Sequence, residues 1–182
     1  MMNRGWRRLN VLLCSVLLIA PPYGQARPIP PTSDQLVGAW RLVSIETVRP
    51  NGEVIYPFYG KHPQGLIMYE RSGWMSVQIV SDPAPTVPTA SSRESVLSAP
   101  AAEKSRAFEG YYAYCGTWTF DAASSTVIHH IQQSLTPGER GEDAVRHFVL
   151  DGDRLILTAK THEMGEDHER KLVWQRVAGV RP

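Results

Sequence analysis

The 182-residue chain has little cysteine, no long apolar run and no strong excess of charge of either sign. Its two cysteines are Cys14 and Cys115, and Cys14 lies in a segment that is typical of an export signal. We therefore expect no intramolecular disulfide in the exported protein. The ten mostly apolar residues 11–20 are too few to span a bilayer, so we expect no membrane span.

An export signal is indicated at the N-terminus. Three arginines precede the apolar residues 11–20, and Gly24, Gln25 and Ala26 form a small-x-small cleavage site. This pattern predicts a signal peptide over residues 1–26, cleavage near Ala26 and a periplasmic or secreted protein. Cleavage removes three of 19 basic residues and none of 18 acidic ones, which leaves a net charge of −2. Because nucleic-acid binders carry a basic face, we expect no nucleic-acid partner; the oligomeric state stays open.

The remaining chain alternates apolar and polar residues in short segments, which is typical of β-strands. From Leu36, for example, Gly38, Trp40, Leu42 and Ser44 share one face of the first predicted strand, and Ile45 lies on the other. Tight turns separate eight or nine such strands, and the helical pattern between parallel strands is missing. We therefore predict an all-β fold, an antiparallel up-and-down barrel of about 8–10 strands over residues 36–178, after a flexible lead-in over 27–35.

One long insertion interrupts the strands at residues 81–110. It is rich in proline, and Ser91 and Glu94 have the spacing of a helix capping box. A second helical stretch is predicted from Ala101 to Gly110. Because long connections in compact domains are often functional, we expect this insertion to form a lid.

Several motifs resemble those of one family. Gly38, Ala39 and Trp40 match the Gly-x-Trp signature of lipocalins, and Arg176 on the last strand faces Trp40 if the barrel closes, so that a cation–π contact can form. Further matching segments are residues 36–44, 65–69, 73–78, 112–116 and 127–130, and Arg146. The sequence resembles the lipocalin-like domain family of largely uncharacterised bacterial and fungal proteins in the calycin superfamily. One difference is that residues 137–141 lack the tryptophan that the family usually has there.

The interior of such a barrel has room for side chains or for one small ligand. On the strand predicted over residues 111–120, four aromatic residues share a face with Gly116, which would leave space beside them; they are Tyr112, Tyr114, Trp118 and Phe120. We expect the ligand to contact Tyr69, Met75, Val77, Tyr112, Tyr114, Trp118, His129 and Arg146. The alternative is that these aromatic side chains fill the core themselves.

Two polar residues carry the chemistry of this predicted site. Alternation places His129 inward and His130 outward, and an inward histidine either serves the ligand or pairs with a tyrosine hydroxyl. The direction of Arg146 is open. If it points inward, its charge needs a carboxylate from the protein or from a ligand.

The sequence therefore favours an exported protein that binds a small, mostly apolar molecule bearing an oxygen or carboxylate group. The rival hypothesis is a cofactor-independent isomerase or cyclase for a polyketide- or terpenoid-like substrate, with His129 as acid or base, Tyr112 or Tyr114 as donor and Arg146 as anion stabiliser. A third is haem binding by His129. We expect no metal site, because the segment 162–166 has Glu166 where a zinc-protease motif needs histidine. We expect no cofactor, because the sequence has no Gly-rich phosphate-binding loop. Cys115 is expected to be a small packed residue.

Overall fold

The computed structural model describes residues 31–56, 58–163 and 165–179. The predicted signal peptide over residues 1–26 lies outside the described residues. Within the predicted lead-in, Ser33–Gln35 form a 3-10 turn. The Gln35 side chain accepts a hydrogen bond from the Thr32 backbone N–H, and Leu36 behind the turn is fully buried.

The fold is a closed antiparallel barrel of eight strands, which confirms the predicted all-β class. Each long strand pairs with the next along the chain, and β9 pairs with β1 to close the barrel. The two-residue strand β2 only extends the end of β1. The strands are β1 Gly38–Val48, β2 Val54–Ile55, β3 Gln64–Tyr69, β4 Trp74–Val80, β5 Tyr111–Asp121, β6 Thr126–Ser134, β7 Asp143–Asp151, β8 Arg154–Glu163 and β9 Glu166–Arg176.

A β-bulge changes the face of β1 halfway along its length. The register against β9 shifts between Leu42 and Ser44, and Val43 is exposed. Trp40 and Leu42 are buried before the bulge, and Ile45 is buried after it. Strict alternation placed Ile45 on the opposite face from Trp40, and that prediction is wrong because the extra residue of the bulge reverses the phase.

The insertion between β4 and β5 contains two helices, α1 Arg93–Ser98 and α2 Ala101–Glu109. Ser92, not Ser91, is the N-cap of α1, and its hydroxyl accepts a hydrogen bond from the Ser95 backbone N–H. The predicted capping box is therefore displaced by one residue. Within the described part of the chain, neither helix is long and apolar enough to cross a membrane.

The core lies inside the barrel and is continuous from one end to the other. At the end where β1 begins, Trp40 is fully buried and its Nε1–H donates to the Leu36 carbonyl, 2.8 Å away. The Arg176 guanidinium covers the Trp40 ring at 4.0 Å from its centroid. This end is thus closed by side chains, and any opening lies at the other end.

Candidate functional site

A cavity of about 240 Å³ lies inside the barrel, toward the end opposite Trp40 and Arg176. Pockets for drug-sized ligands occupy about 300–1,000 Å³, so this one fits a small molecule. Residues from all eight barrel strands, from the loop before β3 and from the loop after β6 contribute to its wall. They include Ile45, Phe58, Tyr59, Ile67, Val77, Ile79, Tyr112, Tyr114, His129, Glu139, Arg146, Leu157, Ala159, Thr161, Glu163, Arg170, Leu172 and Trp174.

The structure divides the predicted contact residues into two groups. Val77, Tyr112, Tyr114, His129 and Arg146 line the cavity. The other three, Tyr69, Met75 and Trp118, are absent from its lining and are packed in the buried core. They share the inner face with the first group but lie nearer the closed end of the barrel, where side chains fill the space.

Gly116 does not widen the cavity. A bulge in the pairing of β5 with β6 falls between Cys115 and Gly116, and it pushes the β6 backbone toward the glycine. A Cβ atom at Gly116 would overlap the carbonyl group of His130. The missing side chain therefore accommodates the neighbouring strand and leaves no room for a ligand.

The insertion over residues 81–110 contributes no residue to the cavity lining. The open end is bordered instead by Phe58 and Tyr59 from the loop before β3 and by Glu139 from the loop after β6. In the sequence, the aromatic pair Phe58 and Tyr59 stands beside Gly60 in a loop, which could have indicated a border of the cavity. The sequence analysis did not use this pattern. The loop that lacks the family's tryptophan supplies Glu139 to this border.

His129 sits at the centre of a buried hydrogen-bonded group. Its Nε2 lies 2.7 Å from the Tyr69 hydroxyl, and its Nδ1 lies 2.8 Å from the Tyr114 hydroxyl. The imidazole is 1% exposed, whereas His130 on the same strand faces outward and pairs with Asp143. Burial lowers the pKa of His129 well below its usual 6.5, and the charges of Arg146 and His130 lower it further. His129 is therefore neutral at pH 7.

Both ring nitrogens of His129 are thus occupied by the protein. A general base must reach the proton that it abstracts, and a haem ligand must offer a free nitrogen lone pair. The geometry gives no support to His129 acting directly on a substrate or on haem. Among the described residues, no three histidine, cysteine or acidic side chains cluster in a way that could hold a metal ion.

Arg146 points into the barrel, on the same face of β7 as the buried Phe148. It is half-buried, and its Nη1 donates to the Val145 carbonyl at 3.0 Å. Within the described ranges, its guanidinium has no carboxylate within salt-bridge distance, although other arginines of the barrel do. The positive charge of Arg146 also affects Tyr114. Burial raises the pKa of Tyr114 to about 12, and the charge of Arg146 acts to lower it.

The two carboxylates of the cavity wall already have donors of their own. Glu139 accepts hydrogen bonds from the Tyr112 hydroxyl at 3.0 Å and from the Ser134 hydroxyl at 2.7 Å. Glu163 forms an ion pair with Arg170, whose guanidinium also lies 5.4 Å from the centroid of the Phe58 ring. Among the described residues, these pairs leave Arg146 as the lining charge without a counter-charge.

Two further polar atoms in the cavity wall lack partners. Trp174 is fully buried, and its indole Nε1–H has no acceptor in the described part of the chain. The Thr161 hydroxyl also has no hydrogen-bond partner among the described residues. Buried polar groups are normally hydrogen-bonded, so these atoms mark places where a ligand or water oxygen fits. The sequence analysis did not place Trp174 in the site, although its alternation with Leu172 and Arg176 on the last strand indicated that it points inward.

Comparison with protein families shows which family the chain belongs to and confirms the resemblance that the motifs suggested. The lipocalin-like domain family matches residues 37–177, which include every strand of the barrel. The chain belongs to the lipocalin-like domain family. Members of this architecture enclose their interior within a single closed sheet, and such a lipocalin-like barrel is suited to binding a small ligand.

The chain is also weakly similar to a solved structure. The siderocalin Ex-FABP, described as functioning through dual ligand specificities, aligns with 12% sequence identity and a TM-score of 0.32. The alignment covers 81% of this lipocalin-like chain and 78% of the siderocalin. No curated protein matches the chain.

Proposed function

We propose that this lipocalin-like protein is exported and binds a small, mostly apolar molecule in its barrel, with an oxygen group at the polar side of the cavity. The observation that carries the proposal is the inward Arg146, a charge that has no carboxylate partner among the described residues, in a cavity with both aliphatic and polar walls. Removing even part of a charge from water costs free energy unless the charge is paired, so this half-buried guanidinium is better satisfied when a ligand supplies the partner.

The shape of the cavity supports an apolar body for the ligand. Aliphatic side chains from five strands form much of the wall, namely Ile45, Ile67, Val77, Ile79, Leu157 and Leu172. Burial of apolar area contributes a favourable free energy of about 25 cal/mol per Å², so a hydrocarbon surface on the ligand strengthens binding. The open end carries the aromatic side chains of Phe58 and Tyr59 beside the carboxylate of Glu139, so the entrance offers apolar surface as well.

Export is supported by the sequence of residues 1–26 described above. If the protein is exported, N-terminal sequencing of the chain recovered outside the cytoplasm should begin near Arg27. Recovery of the full chain with its first residues intact from the cytoplasm alone would contradict this part of the proposal.

Native mass spectrometry tests the binding itself. The protein purified from its own compartment should show a discrete extra mass that disappears on denaturation. Ala159→Met places a longer side chain in the cavity, because Ala159 is buried and lines its wall. This variant should lose the extra mass, whereas Val149→Met on the outer surface should keep it. Equal apo masses for wild type and Ala159→Met would contradict a resident ligand.

A further inference from the structure

The proton positions in the Tyr69, His129 and Tyr114 group follow from counting donors and acceptors. A neutral imidazole has one N–H donor and one acceptor nitrogen, so one tyrosine must donate to His129 and the other must accept from it. The tyrosine that accepts keeps its own hydroxyl proton for another partner. The question is which tyrosine has somewhere else to donate.

Burial answers that question. Tyr69 is fully buried in the core, and His129 is its hydrogen-bond partner within the described residues. If Tyr69 accepted from His129, its own proton would be buried without an acceptor, which proteins avoid. Tyr114 lines the cavity, where a ligand can accept its proton. The buried donors and acceptors are therefore all paired when Tyr69 donates to Nε2 of His129 and His129 donates from Nδ1 to Tyr114.

This arrangement turns the Tyr114 hydroxyl proton toward the cavity. Burial raises the pKa of Tyr114 to about 12, so the hydroxyl keeps its proton at neutral pH. Arg146 presents only N–H donors to the same cavity, and the unpartnered indole of Trp174 adds another. The two carboxylates of the cavity wall, Glu139 and Glu163, are held by their own partners.

We infer that the cavity selects ligands that carry an anionic oxygen, such as a carboxylate, and that the Tyr69–His129 pair enforces this choice by holding Tyr114 as a donor. The inference rests on the proposed function, because it names the head group of the ligand that the barrel binds. Arg146 and Tyr114 touch the head group. Tyr69 and His129 are positioning residues that act through Tyr114.

Three probes of equal chain length test the head group: octanoate, 1-octanol and octylamine. Calorimetric titration of the exported protein should give octanoate an affinity at least about tenfold higher than that of 1-octanol, the usual gain from a charge-assisted hydrogen bond. Octylamine should bind weakest. Arg146→Met should remove the preference for octanoate, Arg146→Lys should restore part of it, and Arg93→Met on the surface of α1 should change nothing.

The proton positions have a readout of their own in the ¹⁵N spectrum of His129. Nδ1 should resonate as a protonated nitrogen and Nε2 as an unprotonated one. Tyr69→Phe removes the donor to Nε2 and lets His129 take either tautomer. It should lower the octanoate affinity about fivefold, a typical neutral hydrogen-bond contribution, although Tyr69 lies outside the cavity wall. If the variant is poorly folded, the wild-type spectrum still decides the tautomer.

The outcomes separate the inference from the proposed function. Equal affinity for octanoate and 1-octanol, or a protonated Nε2 in the wild type, would overturn the inference while leaving the binding of apolar molecules intact. Failure of all three probes to bind, together with an apo native mass, would overturn both.

Discussion

The guanidinium of Arg176 lies 4.0 Å from the centroid of the Trp40 ring, where the last strand of the barrel pairs with the first. The same guanidinium donates to the carbonyls of Val37 and Gln35 and to the carboxylate of Asp153. One side chain therefore joins β9, the first strand and the turn before it. This contact closes one end of the barrel and leaves the other end for the cavity.

Removal of that side chain should destabilise the closed barrel. For Arg176→Ala we expect the free energy of unfolding to fall by about 2 kcal/mol, from the lost cation–π contact and charged hydrogen bonds. Urea unfolding measures this loss. Arg93→Ala is the matched control, since Arg93 is exposed on α1. A loss below about 0.5 kcal/mol, the level of an ordinary surface substitution, would mean that the contact does not hold the barrel closed.

The sequence predicted the barrel well because each strand has a clear two-residue period and tight turns join neighbouring strands. Residues 74–80, for instance, alternate apolar and polar in the sequence and form β4, with Met75, Val77 and Ile79 buried on its inner face. Trp40 and Arg176 could be paired in advance because closure of an up-and-down barrel fixes which strand ends meet. Fold and closure therefore follow from local patterns and topology.

The site was less predictable because it depends on bulges and on depth. Alternation does not reveal the extra residue beside Gly116, so the glycine was assigned to the cavity instead of to a backbone contact. Alternation shows which face of a strand a side chain is on, but it does not show how far along the barrel axis the side chain lies. For this reason Tyr69 and Trp118 were expected to contact the ligand. The direction of Arg146 became certain only with the register of β7.

The close approach at Gly116 should make any side chain there costly. We expect Gly116→Ala to lower the free energy of unfolding by about 2 kcal/mol or more, as overpacking of a backbone contact does. Gly138→Ala serves as the comparison, because a Cβ atom there meets nothing within 4 Å. If both variants unfold at the same urea concentration, the tight contact between β5 and β6 does not exist in solution.

Acid should weaken the fold through His129. Its pKa is lowered in the folded protein, so the unfolded chain binds the proton more readily, and stability is complete above pH 6.5. As the pH falls below 6.5 toward the lowered pKa, stability should drop by up to about 1.4 kcal/mol per pH unit. Urea unfolding at pH 7 and pH 5 measures this difference.

The histidine responsible can be identified with two substitutions. His129→Gln should flatten the dependence between pH 7 and pH 5, because glutamine does not titrate. His147→Gln, at an exposed position of β7, should leave it unchanged. An equally steep dependence in His129→Gln would assign the effect to other groups.

The unpartnered hydroxyl of Thr161 predicts an unusual result for a polar-to-apolar substitution. Thr161→Val should leave the stability unchanged or raise it by up to about 1 kcal/mol, since no hydrogen bond is lost. Thr126→Val should instead cost about 1 kcal/mol, because the Thr126 hydroxyl donates to the Ser124 carbonyl at 3.2 Å. Thermal unfolding of both variants compares them. A comparable loss in the two would show that the Thr161 hydroxyl has a partner.

Occupation of the cavity can be detected at Trp174 itself. In a ¹H–¹⁵N spectrum, the indole resonance of Trp174, assigned with Trp174→Phe, should shift when octanoate is added. The indole groups of Trp40 and Trp118 should stay in place, because they already donate to the carbonyls of Leu36 and Glu70. A shift confined to Trp174 is the expected result. Binding of octanoate that leaves Trp174 unmoved, or that moves the exposed Trp74 instead, would contradict a ligand inside the barrel.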